Sequence, residues 1–114
     1  LDSGRREEDL VHKLFNIPYV NSIIDEYKLY RTKFFLMRPK TCYSYHRDQT
    51  KRLHIPIVTN DKCFFVINDR VVRTPEEGRP YVLDTTQIHT AVNASLMDRI
   101  HLIGCLPHET GVTD

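Results

Sequence analysis

Between Tyr43 and Asn60 the chain reads YSYHRDQTKRLHIPIVTN, which places His46, Asp48, Arg52 and His54 within nine positions and then runs on into apolar sequence. Two imidazoles, a carboxylate and a guanidinium along a strand-like run form either a solvated sheet edge or the lining of a cavity that holds something. Residues two apart on a strand share a face, so His46 and Asp48 point one way together, and Arg52 and His54 do the same. Farther on, the same parity groups His89, Ala91 and Asn93, and then Arg99, His101 and Ile103. If those faces look inward, one pocket receives several imidazoles, a carboxylate and one or two guanidiniums. Burying that many ionisable groups without partners costs several kcal/mol, and a metal ion with an anionic ligand offsets it.

His46-Arg47-Asp48 followed by a distant His89 has the spacing of a two-histidine, one-carboxylate facial triad. That ligand set holds non-haem Fe(II) and leaves coordination positions open. Arg99, ten residues beyond His89, is placed to clamp a carboxylate bidentately away from the metal. A His-x-Asp pair alone arises by chance; joined to the later histidine, the arginine and a many-stranded chain, it is specific. Plainer roles exist for each residue. Asp48 could close an Asx turn on its own backbone. Arg99 could pair at the surface with Asp98 or Asp84 for little gain. Arg52 and His54 could sit on the wet face of a half-exposed strand. His101 and Asn93 read as structural, and Tyr43, Tyr45, Phe64 and Phe65 as core or sheet-face residues. Strand parity puts Tyr43 and Tyr45 together, away from the metal, unless a bulge intervenes.

The elements that must position these groups are mostly strands. From Lys33 onward, eight short runs rich in Val, Ile, Phe, Tyr and Thr appear: KFFLM, TCYSYH, LHIPIVT, KCFFVIN, RVVR, PYVLD, HTAVN and RIHLIGCL. Turn chemistry such as RPK, ND and TPEEGR separates them. This spacing predicts a β sandwich, jelly roll or barrel. The first third reads helical: Leu10, Val11, Leu14 and Phe15 recur at helical spacing and Pro18 closes the segment. Ile23, Tyr27 and Tyr30 then form a second pattern, with Asn21 or Ser22 available as its cap. The expectation is one domain over 1–114, with a helical layer in 1–32 packed on a β core in 33–107.

With 114 residues, the chain can bury one core but not two. The formal charge of +1 gives no basic footprint for nucleic acid and no polybasic attraction to a membrane. Cys42, Cys63 and Cys105 are odd in number and contain no Cys-x-x-Cys, so neither a disulfide framework nor a structural zinc site is expected. With no signal sequence and no membrane-length apolar run, a reducing, cytoplasmic setting is the expectation. The chain begins at Leu1 rather than Met, as a fragment or a processed form would.

HRD, RLHIPIVTN, GRPYVLDTTQIHTAVN and DRIHLIGCL together resemble the core of Fe(II)/2-oxoglutarate-dependent oxygenases. The similarity is greatest to the branch of aspartyl/asparaginyl β-hydroxylases and free-proline hydroxylases, and it covers roughly residues 43–106. There, an Arg-x-His-x-Pro strand follows the first metal histidine, and an H-x-V-x-N strand precedes an R-x-H-L strand. The matching segments here are Arg52 to Pro56, His89 to Asn93 and Arg99 to Leu102, although Val92 stands three residues after His89.

This resemblance implies a double-stranded β-helix (a jelly roll, cupin-like) with a short helical N-terminal layer. It further implies that His46, Asp48 and His89 ligate Fe(II), and that Arg99 binds the distal carboxylate of 2-oxoglutarate. Arg52 and His54 line the cosubstrate pocket, with Arg52 beside the carboxylate nearest the metal. The implied activity is a dioxygenase that uses O2 to hydroxylate an amino acid, free or in a peptide, while 2-oxoglutarate is oxidatively decarboxylated to succinate and CO2. An acidic ligand at Asp48, absent from some aspartyl hydroxylases, leans toward free amino acids. The alternative from another class is a cupin-like metal-binding β domain without oxygenase activity, in which a cosubstrate clamp at Arg99 has no purpose. A third is an interaction domain in which the same residues form salt bridges.

Overall fold

The computed structural model describes residues 20–107. One helix, α1 (Val20–Tyr27), precedes eight strands: β1 (Tyr30–Met37), β2 (Thr41–Cys42), β3 (Arg52–Val58), β4 (Cys63–Ile67), β5 (Arg70–Val72), β6 (Tyr81–Leu83), β7 (His89–Asn93) and β8 (Arg99–Cys105). The proposed first helix around Leu10 to Phe15 lies outside the described residues. The eight strands coincide with the eight apolar runs in the sequence. All strand pairs are antiparallel, in two four-stranded sheets ordered β1-β8-β3-β6 and β2-β7-β4-β5.

The helix ends by a local device. Lys28 turns left-handed at φ 54°, its N–H donates to the Asp25 carbonyl, and the Leu29 N–H reaches back to Ile24. This is a Schellman closure with lysine where glycine is usual, and Ile24 and Leu29 both pack against the core cluster beneath it. Tyr30 therefore starts β1 instead of continuing the helix, so the boundary between helix and strands falls three residues earlier than the expected one at Lys33. Asn21 and Ser22 fall inside the first helical turn and are not caps, because the helix already starts at Val20. Asn68 and Asp69 both take positive φ, which gives the two-residue hairpin between β4 and β5 the primed turn that matches strand twist.

Parity in β3 separates two functions. Leu53, Ile55 and Ile57, all fully buried, join Ile23, Ile100 and Leu102 in a cluster under α1. The alternate residues Arg52, His54 and Pro56 face the other way, as do Arg99, His101 and Ile103 on β8. A second cluster of Met37, Phe65, Ile67, Leu83 and Ala91 joins the two sheets. The sheet carrying β3 and β8 is thus covered on both faces, which is why every residue of β8 is buried. Pro56 is tolerated within this central strand because the β6 ladder pairs only Arg52 to His54 and the β8 register shifts just after Pro56. The polar face of β3 and β8 therefore lies between the sheets beside this second cluster.

Candidate metal centre and anion pocket

His46 lies beyond the end of β2, in an isolated antiparallel bridge with His89 at the start of β7. Each residue's N–H donates to the other's carbonyl at 3.0 Å, and the ring centroids are 4.3 Å apart. The two rings are tilted by 53° but are anchored in the same way. Nδ1 of His46 is 2.9 Å from the Ser44 carbonyl, and Nδ1 of His89 is 2.9 Å from the Gln87 carbonyl. A carbonyl can only accept, so both Nδ1 atoms carry a proton, and it is the Nε2 atoms that are turned away from the main chain and available as ligands.

Both Nε2 atoms face the Asp48 carboxylate, at 3.7 Å from His46 and 3.5 Å from His89. One donor atom from each of the three residues lies within 4.8 Å of the others, a spacing that could hold a metal ion. Asp48 is fixed through its N–H to the Thr85 carbonyl at 2.8 Å. The segment after Thr85 is itself tied down. Asp84 accepts from the Thr86 hydroxyl and N–H and from the Gln87 amide, and these bonds hold its carboxyl below the usual carboxylate range, the Thr86 hydroxyl contributing most. That loop presents the Gln87 carbonyl to His89.

Arg52 comes back over the carboxylate, with Nη2 3.4 Å from Asp48 Oδ1. His54 follows on the same face. A cavity of about 90 Å³ is shared by the His46, Asp48 and His89 cluster, Arg52, His54 and Arg99. All six residues singled out in the sequence line it. Phe35, Tyr43, Phe65, Thr85, Ala91 and Ile103 complete the wall.

Arg99 is 1% exposed, and its Nε and Nη1 have no hydrogen-bond partner among the described residues. The guanidinium sits 5.6 Å above the Phe65 ring, and burial pushes its pKa down to about 10. It is therefore not the surface residue that a solvent-exposed pair with Asp98 or Asp84 would require. A buried guanidinium with two nitrogens unpartnered carries a cost in the protein alone, and a carboxylate would remove it. Two arginines against one carboxylate leave the cavity positive even before a divalent metal is added, which suits a dianion.

Tyr43 corrects the parity argument. Regular pairing in β2 stops at Cys42, the chain is irregular up to the bridge at His46, and Tyr43 turns into the cavity, stacked on Phe35 at 5.5 Å. Tyr45 remains exposed, so the two tyrosines do not share a face. The Thr90 hydroxyl, donating to the Tyr43 carbonyl, holds this irregular stretch against β7. Phe35, Phe65 and Thr85 carry no chemical signature that a sequence would reveal. Asn93 is a fastener: its amide donates to the carbonyls of Met37 and Met97, and its Oδ1 accepts from Ser95.

Comparison with known proteins bears on the family and the fold. The sequence profile of the aspartyl/asparaginyl beta-hydroxylase family matches residues 4–108. The chain belongs to that family. Family membership points to a hydroxylase. Among solved structures, the plu4264 protein of Photorhabdus luminescens is similar, with a TM-score of 0.55 and 19% identity, over 67% of this chain and 61% of that one. The chain thus spans less than two thirds of that protein, and the likeness is one of fold. A comparison with curated proteins gave no match. No helix among the described residues is long and apolar enough to cross a membrane.

Proposed function

We propose that this chain is an Fe(II)/2-oxoglutarate-dependent oxygenase that hydroxylates an amino-acid side chain or a free amino acid. One observation carries the reading: a His46, Asp48 and His89 donor cluster and a buried Arg99 with Nε and Nη1 unpartnered among the described residues line one cavity. The donors suit a divalent iron, and the arginine gives the cavity a purpose that a bare metal site lacks. The strand order β1-β8-β3-β6 against β2-β7-β4-β5 supports a jelly-roll, cupin-like double-stranded β-helix. On this reading the chain acts as one domain, its core spanning 33–107. Three free cysteines favour a reducing, cytoplasmic setting.

When bound, iron and 2-oxoglutarate supply the activation of O2 and the oxidative decarboxylation to succinate and CO2 that hydroxylation requires. The protein's own residues do the positioning. His46, Asp48 and His89 hold the metal through two imidazole Nε2 atoms and a carboxylate. Arg52 shares the Asp48 carboxylate and neutralises charge beside the metal. Arg99 anchors the far carboxylate of the cosubstrate, and the walls of Phe35, Phe65 and Ile103 keep that end dry. The substrate approaches from the side of His46, whose side chain is 51% exposed. Neither a nucleic-acid nor a membrane partner is part of this reading; the partner is a small molecule or a peptide.

An anaerobic titration of metal-free protein with Fe(II) and then 2-oxoglutarate tests it. A visible charge-transfer band from the chelated 2-oxo acid is expected, and it should vanish in His46→Ala and His89→Ala. Metal binding without a band overturns the oxygenase and leaves a metal-binding β domain.

A further inference from the structure

Behind the cavity wall two more imidazoles meet. His54 on β3 and His101 on β8 stand diagonally across adjacent strands, where Pro56 is the direct partner of His101 and Ile103 that of His54. Both side chains are buried, at 5% and 1% exposure, and their Nδ1 atoms are 3.0 Å apart. Phe65 closes over the pair, its centroid 5.0 Å from His54 and 6.0 Å from His101. His54 lines the cavity and His101 stands outside the lining.

Two facing Nδ1 atoms at this distance share one proton, so one ring donates and the other accepts. Burial, with Arg99 close to both, keeps each ring neutral, and His54 is pushed down to about 3. Only two tautomer pairs then remain. If His54 were the donor, its Nε2 would be a bare lone pair toward the cavity, and His101 would carry its proton on Nε2. His101 Nε2 is buried with no hydrogen-bond partner among the described residues. Orphaned buried N–H donors are rarer than under-satisfied acceptors. The other arrangement leaves only a lone pair orphaned there, and it gives the cavity an N–H.

We propose that His101 is a positioning residue whose Nδ1–H donates to Nδ1 of His54, fixing His54 as the Nε2–H tautomer and so presenting a neutral hydrogen-bond donor to a carboxylate in the cavity. Arg52 and Arg99 supply the charge for such an anion. His54 supplies a directional contact between them, and His101 decides that this contact is a donor instead of a repelling lone pair. The carboxylate is that of 2-oxoglutarate, and to that extent the inference rests on the function proposed above.

Two measurements on the full chain test it. Histidine-labelled NMR of the metal-free protein separates protonated from bare ring nitrogens. His54 is expected to show protonated Nε2 and bare Nδ1, with the reverse at Nδ1 of His101. The opposite pattern overturns the proposal whether or not the protein is an oxygenase. Isothermal titration of Zn(II)-loaded protein with 2-oxoglutarate should then show about tenfold weaker binding in His101→Leu. His101→Asn, whose amide N–H can stand where Nδ1–H stood, should recover most of that affinity, and zinc affinity should change in neither. Loss of affinity in both variants, with native tautomers in the wild type, assigns His101 to packing and overturns its positioning role. If the wild type shows the expected tautomers but binds no 2-oxoglutarate, the oxygenase reading fails, and with it the carboxylate named here.

Discussion

His46 and His89 hold each other through the main chain, each N–H donating to the other's carbonyl at 3.0 Å in an isolated bridge beyond the end of β2. Because the bond is made by backbone, it outlives the loss of either ring. The metal donors are therefore arranged before any metal arrives. His46→Ala is expected to change the stability of the metal-free protein by no more than about 0.5 kcal/mol, as for an exposed substitution. It should lower metal affinity by at least about 100-fold, since loss of an outer-shell partner alone can cost that much. Thermal melts in chelator and a Zn(II) titration check both halves. A destabilised metal-free variant would mean that the imidazole, and not the backbone, builds the bridge.

Arg99 gives the opposite pattern. Its guanidinium is buried with Nε and Nη1 unpartnered, so the protein pays for it until a carboxylate arrives. Arg99→Met should raise the stability of the metal-free protein by about 1–3 kcal/mol, the range for relieving an unsatisfied buried polar group. The same variant should lose 2-oxoglutarate binding and keep its metal affinity. Calorimetric melts and parallel titrations decide it. Falling stability would show that Arg99 is already satisfied and is not waiting for an anion.

The strands were legible because each apolar run was closed by residues with a defined turn preference. Asn68-Asp69, both left-handed, are the clearest case. The six cavity residues with chemical side chains were legible for the same reason that Phe35, Phe65 and Thr85 were not: a histidine, aspartate or arginine on a buried strand needs an explanation, and a phenylalanine does not. Two readings failed where periodicity itself fails. Tyr30 continues a helical spacing, but the left-handed Lys28 has already ended the helix. Tyr43 obeys strand parity only if the strand continues, and β2 stops one residue earlier. The His54 and His101 pairing was out of reach, because strand order, not spacing, places β3 beside β8.

Gly104 links the helical layer to the site-bearing strand. A Cβ built there would lie 2.9 Å from Leu29 Cδ1, 3.0 Å from Leu29 Cβ and 3.0 Å from Thr32 Cγ2. The side-chain tip could swing away, but Leu29 Cβ is tied to the backbone that closes α1. Gly104→Ala is therefore expected to destabilise the protein by about 1–3 kcal/mol through overpacking. Denaturant melts measure this, and a neutral or stabilising result would show that the chain around Leu29 gives way easily.

The buried histidine pair also sets a pH dependence. The fold lowers the His54 pKa to about 3 and pushes His101 down as well, burial being the largest cause for each. Above pH 6.5, the ordinary histidine value, neither the folded nor the unfolded chain protonates these rings, and their neutrality costs nothing. Below it the unfolded chain takes up protons that the fold refuses, so stability falls as pH drops from 6.5 toward 3. His54 alone contributes a slope of up to about 1 kcal/mol per pH unit in that window. The experiment is a series of denaturant melts in chelator, comparing wild type with His54→Asn, whose side chain does not titrate. The variant should show the shallower slope between pH 6 and pH 4. Equal slopes would mean that His54 is protonated within the folded protein, and that the neutral pair required behind the cavity does not exist.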